Sequence, residues 1–221
     1  MKPATTHKKF WRDNGLSLTL TIMFLAAWLG QALTGWHNHN DELSAHGQLP
    51  ITLMHYLRSG HFVEVTMENW ESEFLQLFVY VALTAFLFQR GSAESKDPDD
   101  SEDNEPPLTA NSPKWARAGG WRHKLFSHSL SLVFFVLFAI TFLLHAAGGV
   151  KQYNEEQLLH GEAPVSLGSY MASSQFWFES LQNWQSEFLS LLSMVVLSIF
   201  LREQGSPESK PVNMPHASNP E

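Results

Sequence analysis

Residues 69–96 read NWESEFLQLFVYVALTAFLFQRGSAESK, and residues 183–210 read NWQSEFLSLLSMVVLSIFLREQGSPESK. The two stretches lie 114 positions apart, and that register extends well beyond them. From Asn14 to Lys96 the chain aligns without a gap on residues 128–210, with about thirty of some eighty pairs identical. The polar matches carry the weight, because shared apolar bias cannot produce them: Asn40 with Asn154, His46-Gly47 with His160-Gly161, Pro50 with Pro164, Tyr56 with Tyr170. Self-similarity at a fixed period marks a duplicated structural unit. The expected organisation is a short N-terminal segment (1–13), a first repeat (14–96), a linker (97–127), a second repeat (128–210) and a disordered tail (211–221).

Each repeat holds two apolar segments. Leu16–Thr34 and Leu130–Ala147 contain 18–19 residues, enough to cross a hydrocarbon layer of about 30 Å at 1.5 Å per residue. Phe74–Phe88 and Phe188–Leu201 are only 14–15 residues long, a length equally suited to a buried soluble helix. Charge placement decides between these. If all four segments span, Lys2, Lys8, Lys9, Arg12, Arg90, Lys96, Lys114, Arg117, Arg122, Lys124, Arg202 and Lys210 fall on one side, leaving Arg58 and Lys151 on the other. Such an excess of Lys and Arg belongs to cytoplasmic loops. The expected fold is therefore all-α and polytopic: four transmembrane helices as two parallel two-helix repeats, with both termini in the cytoplasm. The first segment is too long for a signal-peptide core. In each outer connection a Pro is followed by Leu53, Tyr56 and Phe62, or by Leu167, Tyr170 and Phe176. That spacing predicts a short interfacial helix with Pro50 or Pro164 near its first turn.

Composition excludes several function classes. The net charge of −8 supplies no basic stripe for nucleic acid. Cysteine is absent, which removes disulfides, thiolate metal sites and thiol nucleophiles. Gly-rich phosphate loops, a Gly-x-Ser-x-Gly elbow and an HExxH pair are also missing. The acidic run DPDDSEDNE at 97–105 reads as disordered linker.

The elements NWESEFLQ and NWQSEFLS, each followed by an apolar helix and then GSAESK or GSPESK, resemble an uncharacterised family of bacterial integral-membrane proteins defined as a domain of unknown function. The resemblance implies a bacterial plasma-membrane location, with the lipid bilayer as the one assigned partner and no assigned activity.

A few polar residues remain as candidates. Asn69 and Asn183 open the second and fourth apolar segments and read as helix N-caps, with the acids behind them complementing the helix dipole. Glu73 and Glu187 then fall about one turn, roughly 6 Å, into the span. Gln31 and His145 occupy equivalent positions near the outer ends of the other two segments. Polar side chains there serve as interhelical glue, or Glu73, Glu187, His145 and Gln31 form a proton- or cation-responsive cluster. The sequence names no catalytic residue, cofactor or metal ligand set. The primary reading is a non-enzymatic membrane protein of interaction or envelope-support type, compatible with a homo-oligomer; the alternative is a small proton- or cation-handling protein.

Overall fold

The structure is a computed structural model that describes residues 6–99 and 106–220. It is all-helical, with no strand among the described residues. The helices are α1 (Thr6–Ala45), α2 (Leu53–Tyr56), α3 (Gly60–Thr84), α4 (Lys114–Arg117), α5 (Gly120–Ser127), α6 (Ser129–Leu159), α7 (Leu167–Met171) and α8 (Ser174–Phe200). Two of them, over Lys9–Ala45 and Ser129–Leu159, are long and apolar enough to cross a membrane. The chain divides into a unit of residues 1–63 and a unit of residues 64–221.

In the first unit α1 runs eleven residues beyond its apolar segment. It ends at His46-Gly47, where Gly47 takes φ 72° and Gln48 N–H closes on the Leu43 carbonyl at 2.8 Å, the left-handed exit typical of helix ends. The chain then folds back, and Asn40 holds it: its Oδ1 accepts from Ile51 N–H at 2.7 Å, and its Nδ2 donates to the Ile51 carbonyl at 3.1 Å. Thr52 caps α2, and Ser59 caps α3 through Phe62 N–H at 3.1 Å. Ala32, Tyr56 and Phe62 form the buried core.

The second unit contains the same devices. Gly161 exits α6 at φ 75°, Asn154 binds Val165 N–H and carbonyl at 2.7 and 3.0 Å, and Ser166 and Ser173 cap α7 and α8. Ala146, Tyr170 and Phe176 form its core. The symmetric polar matches of the sequence are thus fasteners of one hairpin motif. Pro50 and Pro164 precede their short helices by three residues and do not enter the first turn. The short helices do exist, but Tyr56 and Tyr170 point inward at 1% exposure each.

The GS-x-ESK elements are turns closed by serine hydroxyls. Ser95 accepts from Gln89 N–H at 2.7 Å and Ser209 from Glu203 N–H at 2.8 Å. Gly91 and Gly205 lie beyond Thr84 and Phe200, several residues past the helices, so they shape these turns and are not helix C-caps. The tail expected to be disordered is held by specific bonds. Lys210 donates to the carbonyls of Pro215, His216 and Ser218, and Asn219 binds Gly91 N–H and the carbonyls of Gln89, Ser92, Ser95 and Lys96. The acidic run of the linker lies largely outside the described residues.

Gly149 marks a tight helix approach in the second unit: a Cβ there would overlap the Tyr170 hydroxyl. Gly149→Ala should lower stability by about 1–3 kcal/mol, the usual cost of overpacking. Gly168→Ala, where nothing lies within 4 Å, should leave it unchanged or slightly raised. Thermal unfolding of the detergent-solubilised protein checks this, and equal midpoints for the two variants would contradict the packing described.

Candidate functional site

Helix α3 starts at Gly60 and α8 at Ser174, nine residues before Asn69 and Asn183. Both asparagines are therefore mid-helix and cap nothing. Asn69 is exposed and donates to the Val65 carbonyl of its own helix at 2.7 Å. The earlier helix start changes the reading of the acids. Glu64, Glu68 and Glu71 are spaced at i, i+4 and i+7, which puts all three on one helix face, and that face is turned inward.

Glu71 and His145 form the centre. Both side chains are fully buried, and His145 Nδ1 lies 2.7 Å from Glu71 Oε2. The other carboxylate oxygen, Oε1, accepts from Trp184 Nε1 at 2.9 Å. A buried carboxylate is tolerable only when such partners replace water, and Glu71 has one for each oxygen. His145 stands against the Phe176 ring, with centroids 4.9 Å apart. Its Nε2 faces Glu179 Oε2 at 3.7 Å, within ion-pair range but too long for a hydrogen bond.

A second layer surrounds that pair. The Tyr170 hydroxyl lies 2.7 Å from Glu179 Oε2 and 3.1 Å from Glu64 Oε1. A phenol carries one proton, so it cannot donate to both carboxylates at once. A proton on Glu64 would remove the conflict, since Glu64 would then donate to the phenolic oxygen. Burial, reinforced by the negative charge of Glu179, pushes its carboxyl up to about 7. Burial pushes Glu179 up as well, but contacts from His145, Tyr170 and Gln175 outweigh it and hold that carboxyl below its usual value. Glu68 is also raised by burial. It accepts from Asn183 Nδ2, and Gln182 Nε2 lies 3.4 Å away. Burial and the bond to Glu179 raise the Tyr170 phenol.

Of the six candidates named from the sequence, the structure brings His145 and Asn183 into this cluster. Glu73 is exposed and Glu187 half-buried. No hydrogen bond or ion pair joins either to His145 among the described residues. The Glu187 backbone carbonyl receives Gln76 Nε2 at 3.0 Å. Gln31 sits on α1 in the first unit. The residues missed were Glu64, Glu68, Glu71, Tyr170 and Glu179, and the i, i+4, i+7 spacing was the signal that could have found the first three. Among the described residues no group of three or more His and acidic side chains is placed to hold a metal ion.

The 114-residue shift maps His145 onto Gln31 and Glu71 onto Gln185. Both ionisable partners are replaced together by amides. Glu71→Gln alone strands the imidazole and should cost about 3–5 kcal/mol, as breaking one side of a buried pair does. The double variant Glu71→Gln/His145→Gln should recover most of that loss. A double-mutant cycle on unfolding free energies measures the interaction, and simple additivity of the two losses would contradict it. Glu73→Gln should change stability by less than about 0.5 kcal/mol.

No curated protein and no solved structure matches the sequence significantly. The profile of DUF6766, a domain of unknown function, matches residues 7–221. Since that match covers nearly the whole sequence, the chain belongs to the DUF6766 family.

Proposed function

We propose that this protein is a four-span membrane protein that takes up and releases a proton at its buried glutamate–histidine–tyrosine cluster, on the outer side of a bacterial plasma membrane. The observation that carries the proposal is Tyr170, whose hydroxyl, with one proton to donate, lies within hydrogen-bond distance of both Glu64 and Glu179 beside the enclosed His145–Glu71 pair.

Support for four spans comes from the inversion of polarity along the helices. In α1, Leu16 is 77% exposed and Met23 62%; in α8, Leu192 is 59% exposed, whereas Glu71 and His145 are fully buried. Apolar side chains outside and charged ones inside suit lipid as the solvent. At 25 and 27 residues, α3 and α8 reach about 37–40 Å. Glu64, Glu68, Glu71 and Glu73, all within the first fourteen residues of α3, confine its apolar stretch to the second half. The positive-inside count of twelve basic residues against two supports an orientation with both termini inside. In that orientation Glu64, about 15 Å before the apolar run that opens at Phe74, falls on the outer side of the lipid.

Enclosure of the His145–Glu71 pair favours a second reading, a non-enzymatic interaction or support role in which the cluster only fixes the helices. Exposure of Glu179, at 14% of its side chain, favours the first, because it gives protons a way in.

Three outcomes follow. Cysteines at position 105 should react only from the cytoplasm and at positions 45 and 158 only from outside; external labelling at 105 would end the four-span reading. Infrared difference spectra between pH 8 and pH 6 should show a protonated-carboxyl band that disappears in Glu64→Gln, and a spectrum without that band would favour the support role. Stability should also depend on pH. Between the ordinary carboxylate value of 4.5 and about 7 the native state keeps the Glu64 proton that the unfolded chain has lost, so the contribution of Glu64 falls as pH rises through that window. Glu64→Gln should remove this slope, and an unaltered slope would show that another group causes it.

A further inference from the structure

We propose that the groove beside α5 holds one anionic phospholipid of the cytoplasmic leaflet, with an acyl chain along Leu132, Phe135 and Phe78 and the phosphate on Lys124. The inference rests on the membrane reading above but not on the proton cluster. Three observations carry it.

The groove has a volume of about 580 Å³ and changes character along its length: Trp121, Lys124 and His128 lie at one end, and Leu132, Phe135 and Phe78 at the other. From His128 to Phe135 the chain climbs α6 by seven residues, about 10 Å. That depth fits an acyl chain within one leaflet of a hydrocarbon core about 30 Å thick. Phe78 and Phe135 close the deep end, with ring centroids 5.2 Å apart.

Among the described residues the basic end is uncompensated. Residues 106–128 carry Lys114, Arg117, Arg122 and Lys124 and no Asp or Glu. Lys124 has no ion pair or side-chain hydrogen bond among the described residues. Arg122 lies 5.5 Å over the Trp121 ring, and among the described residues no ion pair joins it to a carboxylate. Each cation near an anionic lipid surface strengthens binding about five-fold, which favours an acidic headgroup over a zwitterionic one.

The aromatic residues set the depth. Trp115 and Trp121 meet edge-on at 6.0 Å and are 45% and 66% exposed. Tryptophan in such numbers belongs at the headgroup level, next to the groove entrance. The short α4 and the eight-residue α5 therefore form a basic, aromatic collar from which the groove descends.

The test uses the full chain purified in nanodiscs of phosphatidylcholine mixed with phosphatidylglycerol, with native mass spectrometry to count retained lipid after delipidation. One phosphatidylglycerol should stay bound in preference to phosphatidylcholine. Its occupancy should drop about five-fold in Lys124→Gln, return in Lys124→Arg, and stay unchanged in Glu64→Gln. Equal retention of the two lipids, or unchanged occupancy in Lys124→Gln, overturns the inference and points to the acidic run 97–105 as the partner of these cations. A protein that does not enter nanodiscs overturns the membrane reading and this inference together, whereas loss of the Glu64 carboxyl band alone leaves the lipid site standing.

Discussion

Glu71 and His145 meet at 2.7 Å in a place that water does not reach. A buried carboxylate needs a partner for each oxygen, and here α6 supplies the imidazole and α8 the Trp184 indole. One glutamate therefore joins three helices. The face of α3 that carries Glu71 also carries Glu64 and Glu68, so turning Glu71 inward turns the acidic stripe inward and leaves Asn69 and Glu73 on the outside. The orientation of α3 follows from how that pair is satisfied. A pair of this kind adds little net stability compared with a well-packed apolar replacement. Its weight lies in fixing which face of each helix turns inward.

The hairpin fasteners were legible in the sequence because they are locally coded. Asn40 and Asn154 bind main chain eleven residues away, and the His-Gly pairs end their helices at the glycine, as the sequence suggests. What failed was the reading of Asn-Trp-x-Ser-Glu as a helix start. Asn followed by acids has the pattern of a cap, but Ser59 and Ser173 cap the helices further upstream, and the two asparagines are left mid-helix. Moving the start upstream turns Glu73 outward and Glu71 inward. The counterpart of Glu71 is Gln185, and that difference between copies, not the acid shared as Glu73 and Glu187, marks the buried pair. The ordered tail was hidden for another reason. Its contacts go from Lys210 and Asn219 to main-chain carbonyls, and such bonds leave no pattern of side-chain hydrophobicity to read.

The two repeats share fasteners but differ in charge. Tyr56 bonds His61 at 3.1 Å, whereas Tyr170 lies between Glu64 and Glu179. Under the 114-residue shift Glu64, Glu68 and Glu71 correspond to Phe178, Gln182 and Gln185. A motif built once around a histidine and once around carboxylates argues that the carboxylates are not required by the hairpin itself. That asymmetry is the physical reason for placing the proposed proton site in the second unit, at Tyr170 and its carboxylates.

The most direct test of that placement makes the pH change on one side only. In sealed vesicles with the protein uniformly oriented, lowering the external pH from 8 to 6, with the interior buffered, should protonate the Glu64 carboxyl, seen as its infrared band, while acidifying the interior alone should not. A band that follows only the interior pH, or no band from either side, would contradict an outward-facing protonation site.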